Sequence, residues 1–255
     1  MSGAGASSEP AAAVVEEIGE AAVADTNDIS TEAGAQALIG TAVDRFGRVD
    51  ALVNNAGIMR WAGFPDVSDD EFEHHLAVHL LGSFHTSRAA WPHMVEQGYG
   101  RIVMTTSSGV FGLPNNTSYA AAKGGVIGLM RSLSQAGAGP GIRVNCIAPA
   151  AYTRMAGKGD PPPAMAPELV APMVAYLAHE DCPVSGEIYT AGFGRFARLF
   201  LASTEGVVVD DPTVEDVAAQ WAAINAEPGY QVPPDLTTWS QTFTSHLEDG
   251  ATGNR

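Results

Sequence analysis

Short apolar segments alternate with longer amphipathic segments along most of this chain, and this alternation constrains its fold more than any other feature. Residues 51–53 form a short apolar run without polar alternation, which is typical of a strand buried on both faces, residues 102–105 form the next buried strand, and residues 142–147 form a further strand. Segments with helical spacing lie between them. The pattern predicts an α/β fold, a parallel sheet with helices on both faces.

Local signals place the remaining elements. Helices are predicted over residues 9–18, 30–46, 68–96, 118–136 and 167–179, and further strands over 21–24 and 187–190. Ser8, Ser30 and Ser68 stand where a helix N-cap needs a side-chain oxygen, and Glu71 follows Ser68 in the spacing of a capping box. Gly47 follows the second helix at a position that favours a left-handed residue.

The sequence changes character after residue 204. Residues 205–255 contain apolar-poor stretches and one amphipathic helix over about 214–224, which Thr213 can cap. The last residues, 248–255, are expected to be disordered. We therefore predict an α/β domain over residues 1–204 and a C-terminal extension over 205–255.

Charge and cysteine content exclude several classes of function. The chain has 13 Lys and Arg against 29 Asp and Glu, a net charge of −16, so neither nucleic acid nor an anionic membrane is an expected partner. No apolar run reaches the ~18 residues of a membrane span, and residues 1–10 lack the features of a signal peptide. Cys146 and Cys182 make neither a disulfide framework nor a zinc site, so we expect a metal-free, cytoplasmic protein.

The pair Tyr119 and Lys123 carries the strongest chemical signal. On a helix, side chains four residues apart share a face, so the phenol and the ammonium point the same way. A neighbouring ammonium stabilises a phenolate and so lowers the pKa of the phenol, which makes the pair a candidate general acid or base. Taken alone, this spacing more often marks a partly buried tyrosine beside a surface lysine.

Two polar segments follow neighbouring strands. Asn54-Asn55-Ala56-Gly57 comes directly after the strand at 51–53, where small residues allow the close approach of a ligand. The hydroxyl residues 105–108 end the next strand and can donate to a substrate carbonyl oxygen. Each segment alone is also explained as a turn. Together with Tyr119 they predict a ligand site at the carboxyl edge of the sheet.

These motifs, in this order and at nearly this spacing, resemble the short-chain dehydrogenase/reductase family over residues 9–200. Arg143-Val144-Asn145, Pro149 and Thr153 add to the resemblance. Within the family, the chain is similar to the (3R)-hydroxyacyl-CoA dehydrogenase unit of peroxisomal D-bifunctional enzymes and their bacterial relatives. The segments that carry this likeness are 78–84, 88–91, 98–104, 148–155, 191–195 and 213–221. The family implies a Rossmann-like, doubly wound sheet.

The resemblance implies hydride transfer between a nicotinamide cofactor and a secondary alcohol or ketone, such as a 3-hydroxyacyl-CoA. Tyr119 would move the proton of the carbinol oxygen, and Lys123 would lower the pKa of Tyr119 and hold the nicotinamide ribose. The other implied cofactor-binding residues are Asp28, Ile29, Asn54, Asn55, Ala56, Gly57, Pro149 and Thr153. NAD is implied by the likeness alone, and NADP stays open. Asp28 is equally well explained as an acid at a helix N-terminus.

Two positions depart from the family pattern. His79 stands where many members have an asparagine that helps to hold a proton-relay water. It is a relay candidate, although a hydrogen-bonded helix histidine explains it equally well. The family's serine spacing selects Thr106 as the hydroxyl that orients the substrate, whereas the local pattern around Met104 selects Ser107. We favour Ser107, with Thr106 next and Ser108 third.

The front of the family pattern has no counterpart here. The family begins with a strand, a glycine-rich turn that cradles the pyrophosphate, a helix and a second strand. Nothing before residue 9 matches these elements, so the predicted sheet lacks the first βαβ segment. The strand at 51–53 would then have an unpaired edge. We expect a truncated product or a degenerate paralogue, with weak NAD binding.

Three functional interpretations follow. The favoured one is an NAD-dependent 3-hydroxyacyl-CoA or related alcohol dehydrogenase. The second is a catalytically impaired subunit that pairs with an intact paralogue through the helices at 68–96 and 118–136. The third is a dehydrogenase of steroid or terpenoid alcohols. Small residues along 118–136 also predict self-association, as a homodimer or homotetramer, and the family implies lid helices around 155–172 and 194–203.

Overall fold

A five-stranded sheet organises the first part of the molecule. The computed structural model describes residues 8–153 and 162–247. The chain divides into two compact units, Met1–Arg198 and Leu199–Arg255. The strand order is β1-β2-β3-β4-β5, and the first four strands run parallel. The predicted parallel α/β fold is therefore confirmed.

The elements are as follows. The strands are β1 (Ala51–Asn54), β2 (Gly100–Thr105), β3 (Ile142–Pro149), β4 (Ile188–Gly192) and β5 (Arg195–Leu199). The helices are α1 (Glu9–Ile18), α2 (Glu32–Phe46), α3 (Asp69–His75), α4 (Gly82–Gln97), α5 (Thr117–Ala136), α6 (Ala171–Leu177), α7 (Val214–Ala219), α8 (Trp221–Ile224) and α9 (Leu236–Thr244). A π-helical segment, Leu76–Leu81, joins α3 to α4.

The central strands are covered on both faces. Every residue of β2 is buried. One face packs against α4 and α5, and on the other Val103 and Ile147 cluster with Leu177 of α6. The parallel register pairs Asn54 with Met104, and Thr105 with Ile147. The carboxyl ends of β1, β2 and β3 therefore meet at one edge, where the polar segments following β1 and β2 also lie.

The edge strand β1 differs from this centre. Leu52 and Asn54 are buried, whereas Ala51 and Val53 are exposed. The prediction that both faces of this strand are buried is therefore wrong. Among the described residues β1 pairs with β2 alone, and α4 contacts it. A strand shows alternating burial when one face is covered and the other is open to solvent.

Two predictions near the N-terminus are also wrong. Residues 21–24 do not form a strand: a short 3₁₀ turn, Gly19–Ala21, is followed by residues outside the sheet. Apolar residues form a strand only when a neighbouring strand accepts their hydrogen bonds. The cap of α2 is Thr31 rather than Ser30, because the Thr31 hydroxyl accepts from the backbone N–H of Gly34 at 3.1 Å. Gly47 ends α2 in the left-handed region, as predicted.

The long helix predicted over 68–96 is confirmed, with one refinement. Ser68 caps it by accepting from the backbone N–H of Glu71 at 3.2 Å. The helix then widens into the π segment Leu76–Leu81 before it continues as α4. Single π turns inside α-helices occur mostly at functional sites. This segment carries His79 to the carboxyl edge of the sheet, where it contacts Tyr119.

The C-terminal part was predicted less well. The strand predicted over 187–190 is present as β4, but it is not the final strand, because β5 follows it. A lid helix was expected around 194–203, and β5 lies there instead. The helix predicted over 214–224 divides at Gln220 into α7 and α8, and Thr213 caps α7 in a full capping box with Asp216. The helix α9 was not predicted. The expectations for 155–161 and 248–255 lie outside the described residues.

Candidate active site

The first turns of α5 place Tyr119 and Lys123 on one face at the carboxyl edge of the sheet. Lys123 is only 3% exposed. Its ammonium donates a hydrogen bond to the backbone oxygen of Thr105 at 2.6 Å and lies 5.7 Å from the centre of the Tyr119 ring. An ammonium has three N–H donors, so the Thr105 bond leaves donors for a ligand.

Burial sets the proton affinity of both groups. It lowers the pKa of Lys123 to about 8, against a small opposing effect of the neighbouring Cys146 thiol. It raises the pKa of Tyr119, and a side-chain hydrogen bond with Ser107 partly offsets that rise. The expected lowering of the Tyr119 pKa by Lys123 is therefore absent from this arrangement. Desolvation of the phenolate outweighs the attraction of an ammonium held at the Thr105 carbonyl.

Three hydroxyls of the cluster take different directions. Thr105 donates to the side-chain oxygen of Asn55 at 3.1 Å. The fully buried Thr106 turns inward and donates to the backbone oxygen of Lys123 at 2.9 Å. Ser107 is half-buried, its Oγ accepts from the backbone N–H of Gly109 at 3.0 Å, and its side chain lies close enough to the Tyr119 phenol to offset part of the rise that burial causes in the pKa of that phenol. The structure thus brings Ser107, not Thr106, to the phenol.

The space around Gly109 shows how closely Ser107 and Tyr119 approach. A Cβ atom at Gly109 would lie 3.2 Å from the Ser107 Oγ and 3.5 Å from the Tyr119 Cε1. Both side chains therefore border the same small volume. Ser108, the third candidate, is exposed and begins a 3₁₀ turn.

His79 is buried and its ring contacts the ring of Tyr119. It is 1% exposed, and its ring meets the Tyr119 ring edge-on with centroids 5.2 Å apart. Its Nε2 lies 2.8 Å from the backbone oxygen of Ile58. Its Nδ1 is buried and has no hydrogen-bond partner among the described residues. Burial, followed by the charge of Lys123, lowers the pKa of His79 to about 3, so its imidazole is neutral.

The turn after β1 supports this histidine. A Cβ atom at Gly57 would lie 2.5 Å from the Cε1 of His79, so only glycine allows the ring its position. The Asn54 amide is tied to α4: it donates to Ser87 at 3.2 Å and accepts from Thr86 at 2.7 Å. Asn55 and Ala56 are exposed. The Asn54 side chain therefore holds β1 against α4, whereas Asn55 and Ala56 face solvent.

The remaining implied cofactor residues lie on other segments of the chain. Asp28 is exposed, accepts from the backbone N–H of Ser30 at 2.9 Å, and hydrogen bonds with Ser30 lower its pKa. Ile29 packs against Gly82, where an added Cβ would lie 3.0 Å from the Ile29 Cδ1. These contacts favour a turn-forming role for Asp28 and a packing role for Ile29. Pro149 ends β3 and Thr153 is exposed beyond it.

Sequence reasoning missed His75, which is fully buried beside His79. The two imidazoles stack with centroids 6.0 Å apart, and His75 also reaches Ser118, the residue before Tyr119. A signal was available, because His75 and His79 are four residues apart and so share a helix face. Sequence reasoning also did not identify the buried Asn116, which precedes α5.

Two classes of site are not found in the described parts of the chain. No three His, Cys, Asp or Glu residues within 8–153 and 162–247 are grouped so that they could hold a metal ion. Within the same ranges, no helix combines the length and apolar character that crossing a membrane requires.

Comparisons with known proteins find related chains. The family model described as short chain dehydrogenase matches residues 2–161. A protein of Mycobacterium tuberculosis named as a short-chain type dehydrogenase/reductase is 44% identical over 238 residues, which cover 90% of this chain and 83% of that protein.

Two solved structures resemble the chain. The full-length peroxisomal multifunctional enzyme type 2 of Drosophila melanogaster superimposes with a TM-score of 0.80 at 33% identity, covering 95% of this chain. The chain spans 44% of that enzyme. The 3-ketoacyl-(acyl-carrier-protein) reductase of Brucella melitensis, solved with NADH, gives a TM-score of 0.66 at 30% identity, covering 72% of this chain and 82% of the reductase.

Proposed function

The chain belongs to the short-chain dehydrogenase family, and from that premise we propose that it transfers a hydride between NAD and the 3-position of a 3-hydroxyacyl or 3-ketoacyl thioester. The observation that carries this proposal is the meeting of Ser107, Tyr119 and Lys123 at one sheet edge. The arrangement offers a hydroxyl donor, a phenol and an ammonium within the reach of one small carbonyl compound.

The described residues suit the nicotinamide and ribose part of such a cofactor. Lys123 keeps N–H donors beyond its bond to Thr105, and ribose hydroxyls are acceptors of the kind an ammonium binds. The exposed Asn55 and Ala56 follow the same sheet edge. When bound, the cofactor supplies or accepts the hydride. NAD is proposed because the structurally similar Brucella reductase was solved with NADH.

Tyr119 carries the proton in this proposal. During reduction of a ketone, the phenol gives its proton to the carbonyl oxygen as that oxygen gains negative charge. Burial keeps the phenol protonated, which suits this direction. Ser107 donates its hydrogen bond to the same oxygen and orients it. In the oxidation direction, the alcohol would give its hydroxyl proton to the phenolate form of Tyr119 and its carbon-bound hydrogen, as hydride, to the oxidised cofactor.

His79 has a supporting role in the proposal. Its Nε2 faces the oxygen of Ile58, which leaves Nδ1 as a buried acceptor beneath Tyr119. An imidazole whose pKa is lowered to about 3 does not become protonated at neutral pH. We therefore assign to His79 Nδ1 the anchoring of a relay water by accepting a hydrogen bond, rather than the uptake of a proton.

The thioester assignment rests on two similar proteins. One is named as a 3-ketoacyl-(acyl-carrier-protein) reductase and the other as a peroxisomal multifunctional enzyme. Purified protein should be mixed with NADH and, in separate reactions, a 3-ketoacyl-CoA, a steroid ketone and an alicyclic ketone. We expect the 3-ketoacyl-CoA to give the highest kcat/KM. Binding of NADH without turnover of any of these ketones would contradict the proposal.

A further inference from the structure

Two stacked histidines on one helix face hold different parts of the site. His75 ends α3 and His79 lies one turn later in the π segment. Their rings are nearly parallel, with an interplanar angle of 16°, and both are buried. His79 contacts the ring of Tyr119 directly, whereas the ring of His75 lies 6.4 Å from that of Tyr119.

The contacts of His75 select one tautomer. Its Nε2 faces the backbone N–H of Arg60 at 3.3 Å, so Nε2 must accept. Its Nδ1 lies 2.8 Å from the backbone oxygen of Glu71 and 3.1 Å from the Ser118 Oγ. Because a carbonyl oxygen is only an acceptor, Nδ1 must carry the hydrogen, which it donates to the Glu71 oxygen and shares with the Ser118 Oγ as a second acceptor. Both nitrogens of His75 are therefore used by fixed partners.

The contacts of His79 select the opposite tautomer. Its Nε2 is 2.8 Å from the oxygen of Ile58 and 3.3 Å from the nitrogen of the same residue. The shorter contact requires a hydrogen on Nε2, since two lone pairs would otherwise face each other. Nδ1 is then left as the acceptor used in the proposed function. Reversing the tautomer would turn that acceptor into a donor.

Together the two rings fix the segment that follows the Gly57 turn. His79 holds Ile58, and His75 holds Arg60 two residues later. His75 also reaches across to Ser118, the second residue of α5, and Tyr119 is the next residue. One imidazole thus links the segment after β1 to the helix that carries the phenol.

We propose that His75 is a positioning residue that sets the Tyr119 phenol relative to the Ile58–Arg60 segment through its hydrogen bonds to Ser118 and Arg60. The proposal rests on the proposed function, because Tyr119 is the proton donor only there. His75 itself touches none of the reacting groups that we assign. Its two nitrogens serve different partners, so they can be tested separately.

The variants follow from side-chain reach. His75→Asn retains polar atoms near the position of Nδ1 and can still bond Glu71 and Ser118. His75→Gln extends to the position of Nε2 and can still accept from Arg60. His75→Leu removes both links, and Ser118→Ala removes the Ser118 link from the other side.

Misplacing reacting groups by about 1 Å can cost ~10²-fold in rate, so we expect His75→Leu to lower kcat by 10- to 100-fold, beyond what its loss of stability explains. Compared with His75→Leu, we expect His75→Asn to restore most of the wild-type kcat. We expect His75→Gln to keep the low kcat of His75→Leu but to have a lower KM than that variant. Ser118→Ala should lower kcat in the same direction as His75→Leu. Equal kcat in all four variants and the wild type would overturn the proposal, as would changes that follow melting temperature alone.

Two NMR readouts work without any turnover. Long-range proton–nitrogen spectra of the imidazoles should show the hydrogen on Nδ1 of His75 and on Nε2 of His79. The Tyr119 ¹³Cζ resonance, assigned with Tyr119→Phe, should shift in His75→Leu and return in His75→Asn. If no ketone is turned over while these signals behave as stated, the proposed function fails and the linkage stands. An unmoved Tyr119 resonance in folded His75→Leu refutes the linkage.

Discussion

Two walls of the site use their polar atoms in opposite ways. On the first wall, formed by the end of β2 and the start of α5, Ser107 and Tyr119 are partly exposed, and the buried Lys123 has N–H donors beyond its one bond to the Thr105 oxygen among the described residues. On the second wall, formed by α3 and the π segment, His75 and His79 are buried and bonded to the main chain. We propose that the first wall carries the chemistry and that the second sets positions.

This difference has a measurable consequence. A substitution on the first wall removes a reacting group that few other residues depend on, so kcat should fall while stability is retained. A substitution on the second wall disturbs main-chain partners, so kcat and stability should change together.

The largest effect is expected from Tyr119→Phe. Loss of a general acid or base typically costs ~10²–10⁴ in rate, so kcat should fall by about that factor. The phenyl ring keeps its packing against His79, and the melting temperature should stay within a few degrees of the wild type. Tyr176→Phe, at a half-exposed position on α6, is the control and should leave kcat unchanged. Substantial residual kcat in Tyr119→Phe would remove this residue from the first wall.

The next effect separates two adjacent hydroxyls. Ser107→Ala should lower kcat by ~10²-fold, as removal of one donor to a developing oxyanion does. Thr106→Val removes a buried hydrogen bond and should cost ~0.5–1.5 kcal/mol of unfolding free energy, with a smaller effect on kcat. Steady-state kinetics and urea unfolding measure the two quantities. A larger kcat loss in Thr106→Val than in Ser107→Ala would reverse the assignment.

A third prediction tests the second wall through Gly57, which lies in the turn after β1 and packs against His79. Gly57→Ala places a methyl group 2.5 Å from the His79 Cε1, so the ring must move. Overpacking of this kind costs ~1–3 kcal/mol, and we expect kcat to fall together with the melting temperature.

The matched control is Gly40→Ala in α2, where an added Cβ meets nothing within 4 Å. It should stabilise the helix by ~0.5–1 kcal/mol without affecting kcat. If Gly57→Ala instead melts and turns over like the wild type, the ring of His79 is not confined as the second wall requires.

The last prediction concerns a different quantity, the pH dependence of stability that Lys123 contributes. Its pKa is lowered from 10.5 to about 8, so between these values the unfolded chain binds the proton more tightly than the folded chain. The Lys123 contribution to the unfolding free energy should therefore rise with pH in that window. Lys123→Met should lack this rise. Parallel stability curves for the two proteins from pH 8 to 10.5 would show that the ammonium is not desolvated.

The sequence was sufficient where the relevant contacts are local. Tyr119 and Lys123 share a helix face through their spacing alone, and the Ser68 cap follows from neighbouring residues. At the end of β2, the local sequence no longer predicts which side chain faces the site. Thr106 and Ser107 both reach α5, Thr106 at the Lys123 backbone oxygen and Ser107 at the Tyr119 side chain, so which hydroxyl meets the phenol depends on how the end of β2 packs against α5.

The errors have the same physical origin. Residues 21–24 have strand-like composition, yet no neighbouring strand in the described chain pairs with them, and Val53 is exposed because one face of β1 is uncovered. His75 was missed because its hydrogen-bond partners Ser118 and Arg60 are distant from it in sequence. A pattern of apolar residues indicates which side chains of a segment can be buried. Whether they are buried depends on which elements pack against that segment in the folded protein.

Deuterium transfer tests the central claim most directly. Protein is incubated with a 3-ketoacyl-CoA and NADH that carries deuterium at the transferable position of C4, and the product is analysed by mass spectrometry. We predict a 3-hydroxyacyl-CoA with one deuterium at C3, formed by the wild type and reduced ~10²–10⁴-fold in Tyr119→Phe. A 3-hydroxyacyl-CoA product without deuterium, or no product from protein that binds both compounds, would contradict the account.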